Sequence, residues 1–135
     1  MNTNIALLVP PAAPATKWGA RIVGGLAMAF LAFDAAIKIA LYGPAVEGSA
    51  KLGFTPSAVV ALGALELVMI LLYLVPRTAP IGAVLWTGYL GGAICVHVQQ
   101  GDPWLSHTLF PIYVAVMLWL PLFLRDERVR NLLVA

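Results

Sequence analysis

Residues 57–76 read SAVVALGALELVMILLYLVP, twenty positions in which Glu66 is the one charged side chain. A helix needs about 20 mainly apolar residues to cross the hydrocarbon core of a bilayer, so this stretch reads as a membrane span. The rest of the chain agrees. Of its 135 residues 61% are hydrophobic and 10% charged, against roughly a quarter charged in soluble domains, and mean hydropathy is +0.93. Too few polar side chains are present to coat a water-soluble fold, and lipid is the expected solvent.

Working outward, three further stretches of the same kind lie at about 20–42, 79–100 and 106–124. Turn residues separate them: Gly43-Pro44, Thr55-Pro56, Pro76 to Pro80, and Gly101-Asp102-Pro103. Four spans with short connections predict an all-α, up-down four-helix membrane bundle. If the spans alternate, Lys17, Arg21, Arg77, Arg125, Arg128 and Arg130 share one side, while Lys51 is the only basic loop residue on the other. The excess of basic residues predicts that both termini are cytoplasmic and that the chain is a multi-pass protein of the cytoplasmic membrane. Tyr42 and Trp104 then fall at the outer interface. Residues 1–16, rich in proline and alanine, read as a flexible tail ahead of a single domain over 17–135. The short apolar run Ile5–Val9 has no basic segment before it, so no cleaved signal peptide is expected. Arg125 to Arg130 reads as a solvated helix end that anchors topology.

Several functions are excluded by composition. A net charge of +2 without a basic stripe argues against nucleic acid as a partner. The single cysteine, Cys95, permits neither an intramolecular disulfide nor a CxxC pair, and it is expected as a small buried side chain. Neither a phosphate-binding glycine loop nor a nucleophile elbow occurs. Gly88 and Gly92 form a GxxxG step, expected chiefly to pack within the bundle, with homo-oligomerisation as its other use.

Ionisable side chains at membrane depth are costly and usually face the bundle interior, which makes each a functional candidate. Asp34 and Lys38 stand at i and i+4 on one face of the first span, a spacing that suits an ion pair whose lysine snorkels outward. Glu66 lies near the middle of the second span with no basic residue on its own helix, so it is expected to be a protonated hydrogen-bond donor or a proton-transfer group. On the third span Tyr89, Ala93, His97 and Gln100 recur at helical spacing, and His107 opens the fourth. Asp34, Lys38, Glu66, His97 and His107 are thus expected to converge in the outer half of the bundle. Pro111 and Pro121 are expected to kink the fourth span.

Such a cluster suits three chemistries. A carboxylate and a histidine can act as general acid and base on an apolar substrate. A quinone-like ligand could accept hydrogen bonds from His97 and Tyr89 while nearby acids move its protons. Carboxylates and histidines can also hold zinc or iron, and two histidines can hold haem. No HExxH or other fixed-spacing ligand motif is present, so no metal ligand is assigned and quinone ranks ahead of haem or a metal.

The run Gly88-Tyr89-Leu90-Gly91-Gly92-Ala93 with His97, Gly101-Asp102-Pro103, Ser106-His107 and Phe110-Pro111 resembles the DoxX-like family of small bacterial membrane proteins. Phe33-Asp34 with Lys38, Val46-Glu47-Gly48, Leu52-Gly53-Phe54, Leu65-Glu66-Leu67, Pro76-Arg77-Thr78 and Leu124-Arg125-Asp126-Glu127-Arg128 extend the likeness over about 17–133. The resemblance implies a four-helix membrane bundle and, through the family's name, association with quinone-linked oxidation. The family pattern commonly carries an arginine where this chain has Gln99, so a positive charge beside His97 is missing here.

Two functional readings result. The first is a redox-associated membrane subunit that binds a quinone-like or other apolar molecule and serves a redox partner protein. In it Asp34 and Glu66 manage protons, His97 acts with them, and Lys38, Tyr89, Gln100 and His107 contact the ligand. The second is a stand-alone membrane isomerase or hydrolase, with Glu66 or Asp34 as acid and His97 as base.

Overall fold

The computed structural model describes residues 13–134. Four helices are long and apolar enough to cross a membrane: α1 (Pro14–Ile39), α3 (Pro56–Leu74), α4 (Ala79–Gln100), and α5 (Phe110–Arg125) together with the π-helical turn Trp104–Thr108 that precedes it. The short helices α2 (Gly43–Lys51) and α6 (Glu127–Val134) complete the described residues, which contain no strand. This is an all-helical, multi-pass membrane protein.

Local chemistry explains most of the boundaries. α1 begins at Pro14, so residues 14–16 are helical and are no part of a tail; proline is tolerated there because a first-turn N–H has no helical partner. Residues 1–12 lie outside the described residues. Thr55 caps α3, its hydroxyl accepting from the Ala58 amide at 3.3 Å. The connection expected at 43–56 contains α2, started by Pro44 and followed by Gly53 at φ +87°. Pro111 sits in the first turn of α5 and interrupts no helical bond, which corrects the expected kink there; Pro121 alone lies in the helix interior.

The spans pack as a ring in which α1 and α4 each touch α3 and α5. Small residues set the close approaches. A Cβ on Gly82 would lie 2.6 Å from the Tyr73 amide nitrogen, so only glycine lets the α3–α4 hairpin close. Gly24 of α1 receives the Pro121 ring of α5, and Gly63 of α3 receives Ala35, Lys38 and Ile39 of α1. Side-chain hydrogen bonds cross both diagonals of the ring. Lys38 of α1 reaches Tyr89 of α4 at 3.1 Å, and Tyr73 of α3 donates to the Leu118 carbonyl of α5 at 2.6 Å, in the turn that Pro121 loosens. Trp86, Leu118 and Met69 fill the core between them.

Two packing expectations fail. Gly88 and Gly92 are exposed, with open space where a Cβ would be, so the GxxxG step packs against no helix among the described residues. It sits on the α4 face turned away from α3 and α5. Cys95 is likewise exposed rather than buried.

The charged end after α5 is also more than a solvated helix end. Val129 of α6 is buried, Arg128 donates to the Pro76 carbonyl at 3.0 Å, and Arg130 caps the α5 carbonyls of Phe123 and Leu124. Asp126 orients Arg128 through a 2.8 Å ion pair, and these hydrogen bonds hold its carboxyl below the ordinary range. A depressed folded-state value means that the pair stabilises α6 docking at neutral pH and that this contribution is lost as pH falls through the lowered value. Amide exchange across 127–134, corrected for intrinsic rates, is therefore expected to lose protection only as pH falls below the ordinary aspartate range, and Asp126→Asn to remove that pH dependence. Protection that persists unchanged at acid pH would show that Val129 burial alone holds the helix.

Candidate functional site

Two separate groups of polar side chains occupy the half of the bundle that carries α2. The deeper one joins three helices. Lys38 sits one residue before the end of α1, and helical Cβ atoms tilt toward the helix N-terminus, so its side chain points down into the bundle. Glu66 lies ten residues into antiparallel α3, about 15 Å from its start, and the same tilt points its carboxyl up toward Lys38. Gly63, one turn before Glu66, lets the two backbones come close enough for the side chains to meet.

The lysine ammonium then uses all three of its donors. It donates to Asp34 Oδ2 at 2.6 Å, to Glu66 Oε1 and to the Tyr89 hydroxyl at 3.1 Å. Tyr89 in turn donates to the same Glu66 oxygen. The expected outward snorkel is thus corrected: Lys38 turns inward because Glu66 and Tyr89 offer it acceptors that lipid does not. The expectation that Glu66 lacks a basic neighbour holds for its own helix only, since α1 supplies one.

Exposure grades along the group. The Asp34 side chain is 30% exposed, Lys38 15% and Glu66 0%. Glu66 Oε2 is buried without a hydrogen-bond partner among the described residues, and so is Trp86 Nε1, one turn before Tyr89 on α4. The Trp86 and Tyr89 rings meet edge to face at 5.6 Å. An acceptor and a donor therefore both stand unmatched beside a satisfied network, where each costs free energy. Two carboxyls and one ammonium also leave room for one added proton, which would make the group neutral.

The second group lies at the end of α4. Gly101 adopts a left-handed conformation (φ +72°) and closes a Schellman motif, in which the Asp102 amide donates to the His97 carbonyl and the Gly101 amide to Val98. That turn brings residue 102 back over residue 97, and His97 Nδ1 meets Asp102 Oδ2 at 2.6 Å. His107, on the π-turn, packs against His97 and pairs its Nδ1 with Ser106 Oγ at 2.8 Å.

The five residues expected to converge therefore divide. Asp34, Lys38 and Glu66 meet Tyr89, whereas His97 is eight residues further along α4, about 12 Å of rise, and binds Asp102. Gln100 is exposed and makes no side-chain hydrogen bond among the described residues. Sequence reading missed Trp86 and Asp102. Nothing marks Trp86 in the sequence, but a glycine at position 101 is a helix-stop signal that predicts contact between residues 97 and 102.

An apolar groove of about 270 Å³ runs between α4 and α5, walled by Leu90, Ile94, Ala115 and Trp119 and opened by Gly91. None of the ionisable residues lines it. Thr87 accepts from the Trp119 indole at 2.8 Å beside it.

Comparison with protein families decides what kind of chain this is: the sequence model of the DoxX-like family matches residues 22–120. The protein belongs to the DoxX-like family. The matched range contains both polar groups, from Asp34 to His107, and ends before α6. No curated protein and no solved structure is significantly similar to this DoxX-like chain.

Proposed function

We propose that this DoxX-like protein is a small membrane subunit that binds a quinone-like molecule, or another apolar molecule with a hydroxyl or carbonyl head, at Asp34, Lys38, Glu66 and Tyr89. The observation that carries the reading is the unpartnered, fully buried Glu66 Oε2 at mid-depth. A quinol hydroxyl donating to that oxygen would satisfy it, and the Trp86 indole could donate to an oxygen of the same head group. Oxidation of the quinol releases two protons and two electrons: Glu66 takes up one proton, part-exposed Asp34 passes the other to water, and Lys38 balances charge. The basic end of the bundle faces the cytoplasm of a bacterial inner membrane, and electrons pass to or from a redox partner protein. His97, tied to Asp102, has no direct part in this site.

The test uses the untagged full chain in nanodiscs, titrated with decylubiquinol and decylubiquinone while tryptophan fluorescence is read, with Trp86→Phe identifying the reporter. Saturable quenching carried by Trp86 is expected, with quinol affinity at least tenfold weaker in Glu66→Gln, in line with the cost of losing a charged hydrogen-bond partner. Absence of saturable binding, or equal affinity in Glu66→Gln, would remove the reading.

A further inference from the structure

Two imidazoles meet where α4 gives way to the π-turn, and the proposed ligand site uses neither. The ring centroids of His97 and His107 are 5.9 Å apart and their planes are inclined at 66°. Each ring has its Nδ1 engaged, by Asp102 Oδ2 at 2.6 Å in one case and by Ser106 Oγ at 2.8 Å in the other. With Nδ1–H as the donor in each pair, Nε2 carries the free lone pair.

The supporting backbone is built rather than loose. The Asp102 amide is tied to the His97 carbonyl at 3.1 Å, and the buried Thr108 hydroxyl donates to the Asp102 carbonyl at 3.3 Å. The π-turn is closed by a bond from the Leu109 amide to the Trp104 carbonyl at 2.8 Å. Single π-turns of this kind concentrate at functional positions.

We infer that His97 and His107 bind a divalent transition-metal ion of the zinc or copper class through their two Nε2 atoms. A carboxylate on the far nitrogen of a ligating histidine fixes its tautomer and raises its basicity, and Asp102 stands in that position toward His97. Metal–nitrogen bonds of ~2.0–2.1 Å place two ligating nitrogens at most about 4.2 Å apart, which rings with centroids 5.9 Å apart reach when both Nε2 atoms turn to the same point. Imidazole donors select zinc, copper or nickel over magnesium and calcium, which take oxygen ligands. The described residues contain no group of three or more His, Cys, Asp or Glu side chains poised around one point. The protein therefore supplies two donors, and water or an added ligand takes the remaining positions. His107 is exposed and the His97 side chain 21% exposed, so the ion has access from water at the end of the bundle.

Equilibrium dialysis of the untagged protein in detergent against Zn²⁺, with Mg²⁺ as the control and elemental analysis as the readout, tests this directly. One Zn²⁺ per chain is expected. His97→Gln and His107→Gln should each weaken binding more than tenfold, Asp102→Asn about 10–100-fold, and Glu66→Gln not at all. Cu²⁺ loading gives a second readout, since its electron paramagnetic resonance spectrum should show two coordinating nitrogens in the native protein and one in each histidine variant. Zinc bound no better than magnesium, or histidine variants that bind as the native chain does, would overturn the assignment.

Discussion

Replacing Lys38 by methionine is expected to destabilise the bundle by about 3–5 kcal/mol, the range found when one partner of a buried ion pair is removed. Three acceptors lose their shared donor at once, since Asp34, Glu66 and Tyr89 all converge on the ammonium. Asp34 can turn to water, being part-exposed, but Glu66 is fully buried and keeps only Tyr89. Most of the cost therefore resides in Glu66. Unfolding in mixed detergent and SDS micelles would measure it, and Lys38→Met combined with Glu66→Gln should recover more than half of the loss. Recovery is the informative result, because a methionine that merely packed badly would show additive losses in the double variant. A single-variant loss below about 1 kcal/mol would mean that the group is solvated from the α2 end.

The second large effect is expected at Gly63. An added Cβ would lie 2.9 Å from both Lys38 Cβ and Ile39 Cγ1 and 3.0 Å from the Ala35 carbonyl oxygen. The carbonyl belongs to a helix backbone and cannot rotate aside, so α1 and α3 must part. Gly63→Ala should cost about 1–3 kcal/mol as an overpacked contact and, by moving Lys38 from Glu66, should also weaken quinol binding. Gly88→Ala supplies the opposite sign. That glycine has nothing within 4 Å, and alanine in a helix interior is favoured by roughly 0.5–1 kcal/mol over glycine. The same SDS unfolding assay on both variants checks the pair of signs, and a destabilising Gly88→Ala would show that its face is covered in the micelle.

These contrasts mark how far the sequence could be read. The four spans were legible because hydrocarbon penalises every unpaired polar group, so length and polarity alone identify segments such as 57–76. The small helices were less so. α2 carries no buried residue and α6 is held by an arginine reaching to Pro76, contacts that no periodicity encodes. Pro111 and Pro121 look equivalent as residues in an apolar run, and only the start of α5 at Phe110 tells the harmless one from the interior one.

Within the polar residues the same division holds. Asp34 and Lys38 could be paired from their spacing, because i and i+4 share a helix face whatever surrounds the helix. His97 and Asp102 could have been paired from Gly101. Whether Lys38 turned outward to water or inward to Glu66 depended on where α3 placed its carboxyl and on the close approach at Gly63. Likewise, the GxxxG step announces a surface suited to tight packing, but which helix fills it is a matter of neighbours, and among the described residues none does. The sequence by itself determined the solvent, the number of spans and the local pairs, since those follow from transfer free energy and helical geometry. The tertiary structure decided which charges share a site and which small residues are contacts, because both depend on the angles and offsets at which one helix meets another.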